Sequence, residues 1–389
     1  MKQKIYTSVF LLIFFVILLY PLYGSLIDEN LTLSGVTSTA TKQPFSIETA
    51  MDGSYQSSLN SSVENNFSGR KALIKLRSQL LFSLGKESPN NNVVIGKDNY
   101  LFESGYILTE LGISRVTDPN YFADLMNKLI QLDQILEKNG KELYLFITPS
   151  KAYFCKDKIP DVYLKGSDDV LETNDYTEFL RYLKETDLHY FDSRSYIESL
   201  QGEDIEAPIY YPTGIHWSSS YGYRAAKAFS EYISETGKWT LGKIAIDESP
   251  CESPVWPDAD LYQSLNLIAE PKNVQYFTNK ITVVEEGQHP NVFVRGGSFL
   301  GQSINGLIQA GLFGKDVHFE NNYYFLDRYS TTNTLQSFTA YDDFHEMPEL
   351  LAESDIIILE VNEAAISNMS FGFLDYVLEH AEWLNKLEG

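Results

Sequence analysis

The sequence predicts an α/β protein organised on a mostly parallel sheet. Two observations carry this. Short, nearly unbroken apolar runs, Glu142–Thr148 (ELYLFIT), Val292–Val294 (VFV) and Ile356–Val361 (IIILEV), are what strands buried on both faces require. They alternate with segments whose apolar residues recur at helical spacing, and strands joined through helices pair in parallel by crossovers. A chain of 389 residues that is 43% hydrophobic has ample material for such a core. No internal repeat is visible.

Taken in order, residues 1–27 read as a membrane anchor or an uncleaved signal segment. Lys2 and Lys4 lead, and no charge follows from Ile5 to Ile27, a length that suits a membrane span. Two lysines before the run and Asp28 and Glu29 after it place the N-terminus inside and the remainder outside the cytoplasm. Tyr20–Ser25 (YPLYGS) lacks the small-x-small pattern of a cleavage site. Residues 28–52, rich in Ser and Thr, read as a stalk, and 53–389 as one domain.

Within that domain Leu73, Ile74, Leu76, Leu80 and Leu81 mark a first helix face. Val93–Ile95, a glycine turn and Leu101-Phe102 form a hairpin signature. Phe122–Asn139 is an amphipathic helix stopped by Gly140, and Tyr176–Lys184 is another. His189–Asp192 is a short strand, and Ser218 or Ser219 is an N-cap for a helix carrying Tyr221, Ala225, Ala228, Phe229 and Tyr232. Ile281–Val284 and Val317–Phe319 are strands, and Phe371–Leu387 is a closing helix.

Asn291–Phe313 carries the chemistry. A buried strand runs into Gly296-Gly297, then Ser298, then Leu300, Ile304, Leu307, Ile308 and Leu312 at helical spacing. Strand, tight glycine turn, serine and helix would expose a hydroxyl at the carboxyl end of a strand. They would also aim helix N–H groups at negative charge forming beside it. Leu300 stands where the nucleophile elbow of α/β-hydrolases would need glycine.

Of six histidines, His216, in a loop entering a helix beside Trp217, is the best placed to serve as a base to Ser298. His380 falls in the final helix and His318 in a strand; His189, His289 and His345 are the other competitors. Glu360 and Glu363 flank the end of a buried strand, where capping is the simplest role.

Other function classes are disfavoured. Thirty Lys and Arg against 53 Asp and Glu give a net charge of −23, which opposes nucleic-acid binding. Cys155 and Cys251 are the only cysteines, forming either one disulfide or two thiols. No spacing suits a metal, and no cofactor is called for.

Six segments occur in an order that resembles the AlgX/AlgJ-type alginate O-acetyltransferases, a branch of the SGNH hydrolase-like superfamily. They are Phe67–Arg70; Val94–Asp98 followed by Leu101-Phe102; Thr148–Lys151; Thr213–Trp217; Gly296–Phe299; and Ile358–Glu363. An N-terminal membrane segment resembles AlgJ more than AlgX.

The resemblance implies a three-layer α/β/α fold, Ser298 as nucleophile and His216 as base. It also implies a polysaccharide acceptor and a membrane-bound O-acyltransferase as acetyl supplier. In the family an aspartate stands two residues before the histidine; here the position is Gly214. Losing the orienting carboxylate costs roughly 10⁴ in rate in a serine-protease triad. Thr213, Asp192 and Asp204 are the candidate substitutes, a backbone carbonyl would make a dyad, and an inactive polymer-binding subunit is the remaining alternative. For the oxyanion, the Ser298 N–H comes first, with Asn305 and Asn362 as side-chain candidates. The same residues would also serve a polysaccharide O-acetyl esterase.

Overall fold

The computed structural model describes residues 2–28, 31–35, 43–66, 69–165, 173–314, 316–321, 325–330, 335–340 and 347–382. The chain divides into two compact units, Met1–Ile95 with Asp260–Lys272, and Gly96–Ala259 with Asn273–Gly389.

The first unit is mainly helical: Lys2–Asp28, Ile47–Met51, Ser54–Asn66, Arg70–Leu80 and Asp260–Ser264, with strand β1 at Val93–Ile95. Ser46 and Thr49 form a reciprocal cap on Ile47–Met51, so part of the expected stalk is helical. Gln79 Oε1 accepts the N–H groups of Ile268 and Ala269 at 3.0 and 2.9 Å, fastening the distant segment. The expected apolar face of Arg70–Leu80 is not buried: Leu73, Leu76 and Leu80 are each more than two-fifths exposed. The expected membrane span is likewise unsupported. Lys2–Asp28 is helical, but among the described residues no helix is long and apolar enough to cross a membrane.

The second unit holds the α/β domain. Its strands are β2 (Leu101–Glu103), β3 (Glu142–Thr148), β4 (His189–Asp192), β5 (Lys243–Cys251), β6 (Tyr276–Glu285), β7 (Val292–Gly296), β8 (Asp316–Asn321), β9 (Phe325–Ser330), β10 (Leu335–Ala340) and β11 (Ile356–Asn362). Seven make one sheet in the order β10-β9-β8-β7-β11-β3-β4. Pairing is parallel from β8 to β4 and antiparallel at β8-β9 and β9-β10. β5 and β6 form a separate antiparallel ribbon, so the expected strand at Ile281–Val284 lies outside the main sheet.

The sheet has two faces because side chains alternate along each strand. Leu143, Leu145, Ile147, Phe293, Ile357 and Leu359 pack against the helices Tyr121–Lys138, Asp175–Leu183 and Phe373–Glu379. Tyr144, Phe146, Val292, Val294, Ile356 and Ile358 pack against Ser219–Thr236 and Ile304–Gln309 on the other side. This is the expected three-layer arrangement. Strands β3, β7 and β11 are buried throughout, which is why they read as continuous apolar runs. Of the expected closing helix Phe371–Leu387, the described residues are 3₁₀ up to Gly372 and α-helical over Phe373–Glu379, and residues 383–387 lie outside the described residues.

Candidate active site

The site lies beyond the carboxyl ends of the parallel strands, where open α/β sheets bind ligands. β7 ends at Gly296, Gly297 is extended, and Ser298 opens the 3₁₀ turn Ser298–Gln302. The single helix expected after the serine is broken. Ser303 takes φ −135° and ψ −97°, donates its hydroxyl to Phe299 O at 2.9 Å, and a short helix restarts at Ile304. The glycine pair is also explained differently. Neither residue has a positive φ. A Cβ at Gly296 would lie 2.5 Å from Glu360 Cβ and 2.6 Å from its Oε2, and Gly297 N–H donates to that oxygen at 2.6 Å. Glycine is there so that a carboxylate can come under the turn.

His216 is 6% exposed and its Nε2 lies 2.7 Å from Ser298 Oγ, across 82 positions of sequence. Three features bring it there. Tyr210 and Trp217 form an antiparallel bridge, and Ser218 N–H donates to Ile209 O at 2.8 Å, which closes the loop. Trp217, fully buried, donates its indole N–H to Phe299 O at 3.3 Å, and the His216 ring packs 4.8 Å from that of Phe299. Gly222, in the first turns of Ser219–Thr236, lets the helix touch the serine turn: a Cβ there would lie 2.1 Å from Gln302 O. Ser218 is the N-cap of that helix, yet its hydroxyl donates to Pro208 O instead of capping.

Beneath the histidine loop lies a buried ammonium. Lys151 Nζ donates to Tyr211 O at 2.7 Å, Pro212 O at 3.2 Å and Gly214 O at 2.6 Å. Three accepting carbonyls use all three N–H bonds of an ammonium group. The rings of Tyr100 and Phe102 lie 5.5 and 5.3 Å from it.

Beneath the serine turn lies the carboxylate of Glu360, 2% exposed. Burial pushes it up to about 7, against the opposing pull of hydrogen bonds from Thr148 and Gly297 and of the nearby His216. Sequence reasoning gave Glu360 a strand-end role. The available signal was a single acidic residue inside IIILEV.

The remaining candidates are spread over the carboxyl edge. Thr213 Oγ1 donates to Asp258 O at 2.8 Å and meets Tyr276 Oη at 3.0 Å. Asp192 caps the helix Ser193–Ser199 through Arg194 N–H and accepts from Tyr176 Oη at 2.9 Å and Ser195 Oγ at 2.5 Å. Asp204 is in an exposed loop. Asn362 donates to Thr148 Oγ1 and Pro149 O at 3.1 and 2.9 Å, tying β11 to β3. Asn305 is half-buried in the first turn of Ile304–Gln309. Glu363, buried, accepts from Ser150 N–H at 3.3 Å and faces Arg194 at 3.4 Å. Arg194 itself lies over the rings of Tyr153 and Tyr176, an assembly that sequence reasoning missed. His189 stacks on Tyr144, His380 stacks on Tyr376, and His345 lies outside the described residues.

Cys155 and Cys251 are separate thiols, so of the two sequence alternatives the unpaired one is observed. Among the described residues no group of three or more His, Cys, Asp or Glu could hold a metal ion.

A serine hydroxyl against a buried imidazole is an arrangement suited to acyl transfer, and the family comparison bears on the same segments. A family described as "SGNH hydrolase-like domain, acetyltransferase AlgX" matches residues 93–302, more than half of the chain. The chain belongs to this AlgX-type family. It therefore has the SGNH hydrolase-like α/β fold, with His216 and Ser298 both inside the matched region. No curated protein matches.

Among solved structures, the O-acetyltransferase domain of Pseudomonas putida AlgJ is 18% identical, covering 73% of this chain and 99% of its own, with a TM-score of 0.44. Pseudomonas aeruginosa AlgX is 15% identical over 73% of this chain and 67% of its own, at 0.43. Bacillus cereus PatB1 is 10% identical over 73% of this chain and 100% of its own, at 0.48.

Proposed function

We propose that this protein is an O-acetyltransferase acting outside the cytoplasm on an exopolysaccharide or cell-wall glycan through an acyl-enzyme on Ser298. The observation that carries the reading is the 2.7 Å approach of His216 Nε2 to Ser298 Oγ, in a chain of an acetyltransferase family. His216 takes the Ser298 proton as Oγ bonds to the carbonyl carbon of an acetyl ester. The oxyanion forms beside the Ser298 N–H. Its collapse expels the donor alcohol, which leaves with the proton held on Nε2. A sugar hydroxyl then gives its proton to Nε2 and attacks the acyl carbon, and Ser298 recovers its proton from His216 as it leaves.

Family resemblance supports a membrane-bound O-acyltransferase as the source of acetyl groups.

The full chain, incubated with an acetyl ester, is expected to gain one acetyl group by intact mass, with Ser298→Ala at least about 10³-fold slower. Added oligosaccharide accelerates loss of the adduct in a transferase and leaves it unchanged in an esterase. A wild type that gains no acetyl group removes this chemistry.

A further inference from the structure

A histidine that takes a proton at Nε2 carries its own on Nδ1. An anion against that N–H holds the tautomer and stabilises the imidazolium. Gly214 has no side chain with which to supply one, and the carboxylate of Asp192 is engaged with its own helix and with Tyr176.

The space in front of Gly214 is occupied. A Cβ built there would lie 2.7 Å from Asp258 O, 3.0 Å from Asp258 C and 3.0 Å from Pro257 O. Backbone from another loop therefore fills the volume that a side chain at 214 would enter. The contact is fastened by the Thr213 hydroxyl, which donates to Asp258 O at 2.8 Å, and the turn behind it is closed by Asp258 N–H on Val255 O at 2.8 Å. Asp258 is 1% exposed. A carboxylate carried this far from water needs a polar partner. Its charge reaches the same neighbourhood: burial raises the phenols of Tyr211 and Tyr223, and the Asp258 anion raises them further.

We propose that Asp258 is the carboxylate that positions His216, supplying from a second loop what an aspartate at 214 supplies in AlgX-type relatives. In this arrangement Gly214 is a requirement of the site, because only glycine lets residues 257–258 approach. The other charged groups at the histidine are Glu360, whose oxygens are taken by Thr148 and Gly297, and Lys151, which holds Gly214 O.

The proposal rests on the acyl-enzyme reading, and its test separates the two. In the full chain Asp258→Asn should lower the rate of Ser298 acetylation about 10³- to 10⁴-fold with KM for the ester within about threefold. The acid limb of the rate–pH profile should move to lower pH, because the imidazolium has lost an anion. Asp258→Glu should recover part of the rate. An Asp258→Asn protein within threefold of wild type, with the same acid limb, overturns the proposal.

A second measurement needs no variant at 258. With ¹⁵N-labelled histidine, the His216 signals are assigned by their loss in His216→Ala. A neutral imidazole protonated on Nδ1 supports the assignment and one protonated on Nε2 overturns it. This holds whether or not an acyl adduct forms, whereas absence of the adduct in wild type defeats only the transferase reading.

Discussion

The two segments that meet at the site are held by opposite charges. The histidine loop presents carbonyls inward, and the Lys151 ammonium donates to three of them, those of Tyr211, Pro212 and Gly214. The serine turn presents an N–H inward, and the Glu360 carboxylate accepts it from Gly297. Each loop thus has a buried ion of the sign its exposed backbone dipoles require. The difference matters because the carboxylate beneath the serine turn titrates near neutrality, at about 7.

The largest expected effect comes from removing the cation. Lys151→Met keeps the stem volume but leaves three buried carbonyls without their donor, which should cost about 4 kcal/mol of stability. Chemical denaturation of the full chain checks this, and an unchanged midpoint would mean that the ammonium does not hold the histidine loop.

The next effect concerns pH. The folded-state value of Glu360, about 7, lies above its ordinary 4.5, so folding favours the protonated acid. Its contribution is fully present below pH 4.5 and is lost as pH rises to about 7, a change of roughly 3 kcal/mol. Glu360→Gln should abolish that slope, so wild-type stability relative to the variant should fall across this interval. Parallel stability curves for the two proteins would contradict it.

The smallest effect is at Gly214. A methyl group there must push back Asp258 O from 2.7 Å, an overpacking worth about 1–2 kcal/mol. Gly214→Ala should slow acetylation about tenfold and lower the unfolding midpoint by no more than that overpacking cost; an unaltered rate would mean that residues 257–258 need not sit so close.

Much of the architecture was legible because buried parallel strands write themselves as apolar runs. Glu142–Thr148 and Ile356–Asn362 coincide with those runs almost to the residue. Ser298 and His216 were legible as a serine after a strand-end glycine pair and a histidine entering a helix. The break at Ser303 was not, since Leu300, Ile304, Leu307 and Ile308 keep helical spacing across it. Periodicity reports which side chains share a face and is blind to one residue's dihedrals. The reach of Lys151 to a loop 60 positions away was equally hidden, as was Asp258 beside Gly214, because neither contact has a local pattern. Gly296-Gly297 was noticed for a wrong reason: what it accommodates is Glu360, 63 residues downstream of Gly297.

The two sulfurs set a further property of the molecule. Burial pushes the Cys155 thiol up to about 11, against the pull of Lys151, and burial followed by the Asp258 charge raises Cys251. Thiolates, not thiols, intercept electrophiles. An activated ester offered near neutral pH thus meets less thiolate at these two residues than at a freely solvated cysteine. An acyl label should therefore fall on Ser298 ahead of either cysteine, a preference that peptide mapping of the adduct reads directly.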